Sequence, residues 1–274
     1  LKLKHVPYLL GRKPVPQTYG YKTLSFELPV EGKVDYAQWL HPRSYHKPIL
    51  QETVDALRTF LRPGDVAIDI GAHAGDFTVP IALAVGASGA VLAFEPNPYV
   101  YPVLVANAAL NKEKTNIIPM MYAATPQDGE IEFEYSDSGF CNGGRHDGMS
   151  KWLHGHVFRL PVQGRNLDVL LRQKYSDLLP RLRYLKVDAE GYDLTVLRSV
   201  ESLIVQYKPF INAEVFKWAK PEMRLDLFRF LAGHGYTVHR VADDSNYQGE
   251  LLSESDLMRW RHYDLFCIPN SARS

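Results

Sequence analysis

Cysteine is scarce in this chain. Cys141 and Cys267, alone among 274 residues, make neither a metal spacing nor a disulfide framework. A reducing cytosol is the simpler setting for them, so the expected localisation is cytoplasmic. An excess of either charge is also missing. Lys and Arg total 31, as do Asp and Glu, so the formal net charge is zero. That removes any bulk electrostatic case for a nucleic-acid or anionic-membrane partner. No stretch approaches the roughly 20 apolar residues of a membrane span. Leu1-Lys2-Leu3-Lys4 is too polar for a signal peptide and has no initiator Met, so a trimmed start is expected. Internal repeats and low-complexity tracts are absent. What remains is an ordinary globular composition, 46% hydrophobic, with enough residues for one large α/β domain or two small ones.

Apolar periodicity supplies the elements. Residues 1–45, rich in Pro, Tyr and Gly, read as an N-terminal arm with one hairpin, Thr23–Leu28 and Val34–Trp39. Residues 46–274 read as one further domain, with no internal break. Ile49, Leu50, Val54, Leu57, Phe60 and Leu61 recur at helical spacing, and Arg62-Pro63-Gly64 stops that helix. Strands are predicted at 66–70, 90–95, 116–121, 131–135, 157–162, 183–188, 209–215, 236–241 and 263–268. Helices are predicted at 78–85, from Asn97-Pro98 to about Leu110, at Asp193–Val205 and at Pro221–Ala232. Repeated β–α alternation implies a mostly parallel sheet with helices on both faces. The last connection lacks a convincing crossover helix, so the final strand is expected to insert antiparallel.

Val66-Ala67-Ile68-Asp69-Ile70-Gly71-Ala72-His73-Ala74-Gly75 is the most informative segment. A buried strand ends in an acid, and a glycine-spaced turn lets backbone come close to a ligand at the start of the next helix. The next strand ends in Glu95, about 20 residues past the loop, the spacing at which an acid meets a ribose diol. The pyrophosphate pattern G-x-G-x-x-G is absent; the pattern here is D-x-G-x-x-x-G. Asp69 would repel a pyrophosphate and suits a ligand bearing positive charge, such as S-adenosylmethionine. The structural alternative is that Asp69 caps the turn and the two glycines only let it bend.

Ligands of open parallel sheets bind beyond the C-terminal strand ends. There stand Asp69, Gly71, His73 and Gly75; Glu95, Pro96 and Asn97; Ala123 and Ala124, small enough for an adenine to lie on; Asp188 and Glu190; and Glu214, Phe216 and Trp218. Lys186, in a central strand, needs a carboxylate, and Asp188 lies two residues on, on the same face. The pairing reads as an acceptor-activating group beside the ligand; the structural alternative is a plain ion pair with Glu190 capping the next helix. The glycine-rich loop from Ser136 to His156, with Asn142 and Trp152, reads as a lid over a substrate or as a surface excursion.

Together with Phe94-Glu95-Pro96-Asn97-Pro98 and Leu185-Lys186-Val187-Asp188-Ala189-Glu190-Gly191 followed by Leu194-Thr195-Val196-Leu197-Arg198, these motifs resemble the FkbM family of S-adenosylmethionine-dependent methyltransferases. The resemblance covers roughly residues 49–267, and its K-x-D-x-E-G stretch is the specific part. It implies a Rossmann-like class I methyltransferase fold with a seven-stranded sheet, and O-methylation of a hydroxyl on a sugar, glycan or natural product. His73 departs from the Asn of many members.

A sugar hydroxyl needs a base or a metal to release its proton. Lys186, Asp188 and Glu190 are the candidate catalytic residues. Asp69, Gly71, His73, Gly75, Glu95, Pro96, Asn97, Ala123, Ala124 and Asp188 are the candidate cofactor residues. Asn142, Trp152, Glu214, Phe216 and Trp218 are the candidate substrate residues. Asp188, Glu190 and Glu214 would hold Mg²⁺ if a metal takes part. The partner expected is a small-molecule or glycan acceptor; oligomerisation is left open. The rival readings are a non-catalytic nucleotide-binding protein and an NAD-dependent dehydrogenase, the latter weakened by the missing G-x-G-x-x-G.

Overall fold

A computed structural model of the chain describes residues 15–141, 143–144 and 158–270. It opens with an antiparallel hairpin, β1 (Tyr21–Leu28) and β2 (Gly32–Trp39). Helix α1 (Gln51–Arg58) leads to β3 (Val66–Ile70), α2 (Thr78–Val85), β4 (Ala90–Phe94), α3 (Tyr101–Ala109) and β5 (Ile117–Met120). A smaller sheet follows: β6 (Ala123–Ala124), β7 (Gly129–Tyr135), β8 (Gly143–Gly144) and β9 (Phe158–Arg165). The chain then returns through α4 (Leu167–Lys174), β10 (Leu182–Val187), α5 (Asp193–Ser199), α6 (Glu201–Tyr207), β11 (Phe210–Val215), α7 (Pro221–Gly233), β12 (Tyr236–Arg240) and β13 (Tyr263–Pro269).

The main sheet has seven strands in the order β12-β13-β11-β10-β3-β4-β5. Strands β11, β10, β3, β4 and β5 are parallel neighbours, and β13 runs antiparallel to both β11 and β12. This is the Rossmann-like class I methyltransferase architecture, with the antiparallel last strand the missing crossover helix implies. Alternation along the central strands sends side chains to two cores. Ile68, Leu92, Leu185 and Ile211 meet α4 to α7 on one face. Ala67, Val91, Tyr184 and Phe266 meet α1, α2 and α3 on the other. Strands buried on both faces explain the near-continuous apolar runs at 66–70 and 90–94.

Four local expectations differ from what is observed. Asn97 does not start a helix: its side chain accepts from the Tyr99 amide at 2.9 Å and donates to the Phe140 carbonyl at 2.6 Å, and α3 begins only at Tyr101. The helix expected from Asp193 to Val205 is broken at Val200, where the Ser199 hydroxyl donates back to the Val196 carbonyl at 2.6 Å and competes with the next turn. Helix α4 is an addition to the predicted helices, capped by Asn166, which accepts from the Val169 amide at 3.1 Å. Ala123 and Ala124 do not end a main-sheet strand; they pair with Gly164 and Arg165 in the smaller sheet.

Asn107, Asn111, Lys114 and Gln51 all bond to hairpin backbone, and Asn107 is the buried tie that also reaches the loop after β3. Asn107 on α3 accepts from the Ala37 amide at 2.7 Å and donates to the carbonyls of Ala37 at 3.0 Å and Ala74 at 2.7 Å. All three partners are buried. Among the described residues no helix is long and apolar enough to cross a membrane. Asn107→Ala strands three buried backbone groups and is expected to cost about 3 kcal/mol, since each unsatisfied group costs about 1–3 kcal/mol. Denaturant unfolding checks it; a loss within ~0.5 kcal/mol of zero, the range of an ordinary surface substitution, would show that the tie carries no stability.

Candidate active site

The C-terminal ends of β3, β4 and β10 open into one cavity of about 310 Å³. The loop after β3 contributes Gly71 to Ala74, Asp76 and Phe77. The end of β4 contributes Glu95, Pro96 and Asn97, and the loop after β10 contributes Asp188, Ala189, Glu190 and Tyr192. Lys186 lies in its floor.

Register sets the first contact. Lys186 on β10 is the direct parallel neighbour of Asp69 on β3. Its Nζ lies 3.6 Å from Asp69 Oδ1 and 3.3 Å from Asp188 Oδ2, with 4% of the residue exposed. Burial alone would lower the lysine's pKa, but Asp188 and Asp69 outweigh it and the net shift is upward. Asp69 is wholly buried, and burial raises its pKa against the pull of Lys186 and Thr78. Its Oδ2 accepts from the Thr78 hydroxyl at 2.6 Å. Asp69 therefore lies beneath the loop, clear of the cavity surface, and the group it faces is a lysine of the same chain.

The two loop glycines do different things. Gly71 has φ +82°, and a side chain there would overlap the Asp188 carbonyl oxygen. The close approach that demands glycine is thus one of backbone to backbone, reinforced by the Asp188 amide donating to the Ile70 carbonyl at 2.9 Å. Gly75 is outside the cavity lining; a Cβ there would meet Leu104 Cδ1 on α3 at 3.2 Å. His73 is left-handed at φ +50°, a conformation that Asn and His tolerate better than most residues. Its ring meets Trp39 of the hairpin edge-on at 5.4 Å, and burial lowers its pKa. The Nε2 atom is buried with no hydrogen-bond partner.

Glu95 ties this loop to the next. Its carboxylate accepts from the His73 amide at 2.9 Å and the Asn97 amide at 2.8 Å. Burial nevertheless pushes its pKa up to about 7. Ala123 and Ala124 line the cavity beside Phe94, each 4% exposed. Glu190 lines it too, held left-handed at φ +51°, with its pKa pushed up to about 7 by burial and by Asp188. Gly144 of β8 lies over this loop, where a Cβ would come within 3.1 Å of Glu190 Cβ.

The chain matches the family model "Methyltransferase FkbM domain" over residues 69–238, more than half its length. It belongs to the FkbM methyltransferase family. Among curated relatives, the hexuronic acid methyltransferase AglP of Haloferax volcanii is 26% identical over 172 residues, 63% of this chain and 64% of that protein. The methyltransferase sdnD of Sordaria araneosa is 24% identical over 196 residues, covering 63% of this chain and 74% of that one. The chain thus spans a little under two thirds of the Haloferax protein's length. Among solved structures, the FkbM methyltransferase of Methylobacillus flagellatus KT aligns with a TM-score of 0.46 at 14% identity, over 76% of this chain and 44% of that chain.

In this member of the FkbM family, several sequence-predicted residues lie away from the cavity. Glu214 is 8% exposed and its Oε1 shares a hydrogen bond with His262 Nε2 at 2.6 Å, while its Oε2 is buried without a partner. Phe216 is 1% exposed, within the fold. Trp218 lies under the Arg261 guanidinium at 4.4 Å. None of the three lines the cavity, because β11 and its loop lie one strand farther out than β10. Asn142 and Trp152, with most of the loop read as a lid, lie outside the described residues. Among the described residues no group of three or more His, Cys, Asp or Glu is arranged to hold a metal, so Asp188, Glu190 and Glu214 do not converge on one point.

Other lining residues escaped the sequence reading: Tyr36, Arg43 and Ser44 from the hairpin and the segment after it, Asp76, and Tyr135 of the smaller sheet. Asp193 was read only as a helix start. It is buried, accepts from the Gly191 amide at 3.1 Å and the Glu214 amide at 3.2 Å, and burial lifts its pKa to about 8.

Folded Glu190 holds its proton more tightly than the ordinary carboxyl of the unfolded chain, whose pKa is 4.5. Stability is therefore lost as pH rises from the unfolded value through about 7, and the whole penalty stands above that. Glu190→Gln removes the penalty. Its ligand-free melting temperature should exceed the parent's by about 2–4 °C at ~pH 8, with the gain vanishing near ~pH 5. Equal melting at both values would mean that the Glu190 carboxylate carries no strain.

Proposed function

We propose that the chain is an S-adenosylmethionine-dependent O-methyltransferase acting on a hydroxyl of a sugar, glycan or natural-product metabolite. The observation that carries this reading is the union of three strand-end motifs in one acid-rich cavity. Asp76, Glu95, Asp188 and Glu190 line it, against the cations Lys186 and Arg43. Such a lining suits a ligand that carries positive charge and disfavours the pyrophosphate of NAD. The residues fit S-adenosylmethionine: Glu95 would take a ribose diol, Ala123, Ala124 and Pro96 an adenine, and the loop from Gly71 to Ala74 the chain between sulfur and amino acid. S-adenosylmethionine, when bound, supplies a methyl group on a positively charged sulfur.

The remaining work falls to the chain's own groups. Glu190, its pKa raised to about 7, stands where a base for a weakly acidic hydroxyl performs best. Asp188 shares that loop, and Lys186 holds Asp188 in place and offsets charge developing nearby. The hexuronic acid named for the Haloferax relative supports a sugar as the acceptor class.

Two measurements test the reading. Calorimetry should find S-adenosylhomocysteine bound more tightly than NAD, and Glu95→Ala should weaken it by about 1.5–3 kcal/mol, the scale of a hydrogen bond to a charged group. Tighter NAD binding would overturn the assignment. With an acceptor in hand, Glu190→Gln should cut turnover by about 10²–10⁴-fold, the range of general acid–base catalysis. Parent turnover should climb as pH rises through about 7, because the base acts deprotonated. An amide variant with full activity would place the base elsewhere.

A further inference from the structure

Burial of Asp69 leaves the charged amino-acid end of the proposed cofactor without the acid that the sequence assigns to it. Two other groups line the same cavity. Asp76, in the turn after the glycine loop, lines the cavity and accepts no hydrogen bond among the described residues. Its field reaches Lys186, Asp69 and His73, so it stands over the same floor. Tyr36 of β2 also lines the cavity, with 2% of the residue exposed. Its hydroxyl has no hydrogen-bond partner among the described residues, yet is not sealed from the cavity. Burial raises the Tyr36 pKa and the nearby Asp76 raises it further, so the phenol remains a neutral donor at any ordinary pH.

The Tyr36 hydroxyl opens on the cavity with no acceptor from the described chain, so a ligand there can supply one. Here an unpartnered donor and an unpartnered carboxylate line one cavity, and the pair is complementary to a zwitterion. We infer that Tyr36 and Asp76 form a receptor for the α-amino acid group of the cofactor, Tyr36 donating to its carboxylate and Asp76 accepting from its ammonium. This rests on the reading that the cavity takes S-adenosylmethionine. It gives the N-terminal hairpin a direct part in binding, since Tyr36 is held in place by the Asn107 tie to Ala37.

The test compares two ligands that differ at that end. S-adenosylhomocysteine carries the amino acid; 5′-methylthioadenosine keeps the adenosine and sulfur and lacks it. Calorimetry is run on the parent, Tyr36→Phe and Asp76→Asn, with melting curves to confirm folding. Each substitution is nearly isosteric. Both variants should weaken S-adenosylhomocysteine about 10-fold or more, the loss of a hydrogen bond to a charged group, and leave 5′-methylthioadenosine within about 2-fold. Unchanged S-adenosylhomocysteine affinity, or equal losses for both ligands, would overturn the receptor while leaving the cofactor assignment intact. Failure of the parent to bind either ligand would overturn both. Should one variant fail to fold, the other decides alone, because each half of the zwitterion is read separately.

Discussion

The buried ammonium of Lys186 between two carboxylates is the contact on which the rest of the site depends. An isolated charge at 4% exposure in a central strand would cost several kcal/mol. Asp69 offsets it from the adjacent strand, 3.6 Å away, and Asp188 from the end of its own strand, 3.3 Å away. Each then has a fixed duty. Asp69 is locked below the loop by Thr78, and Asp188 is drawn back toward the sheet, where its carbonyl crosses over Gly71. The glycine of the first motif and the lysine of the third are thus parts of one crossing.

Around that pair the strand ends concentrate unfavourable charge. Burial raises the pKa of Glu95, Glu190, Asp193 and Asp264, to about 7, 7, 8 and 6. A fold selected only for stability would neutralise these positions. Keeping them acidic holds electrostatic strain at the strand ends, which a positively charged ligand would relieve. Left-handed His73 and Glu190 both line the same cavity, so backbone strain is stored there as well.

The main sheet was legible because its strands are buried on both faces and read as plain apolar runs. Its antiparallel last strand was legible from a missing helix. The break at Val200 was hidden, since Ser199 bonds to a backbone carbonyl that no periodicity reveals. In the smaller sheet β7 and β9 were legible as the runs at 131–135 and 157–162, while β6 and β8 were hidden because each is two residues long. Lys186, Asp188, Glu190 and Glu95 line the cavity, and their places at strand ends were legible in the sequence. Tyr36 was not, because it alternates in a hairpin distant in sequence, and only the docking of that hairpin brings it to the cavity. Asp69 was found and given the wrong neighbour: strand position fixes which end a side chain occupies, but not whether a lysine on the adjacent strand reaches it first.

The most direct test of this account is the unfolding free energy of Lys186→Met beside the double variant Lys186→Met, Asp69→Asn. Removing the lysine alone leaves Asp69 buried and uncompensated, and the expected loss is about 3–5 kcal/mol. Neutralising Asp69 in the same chain should restore most of it. A single variant as stable as the parent, or a double variant no better than the single, would contradict the central place given to this pair.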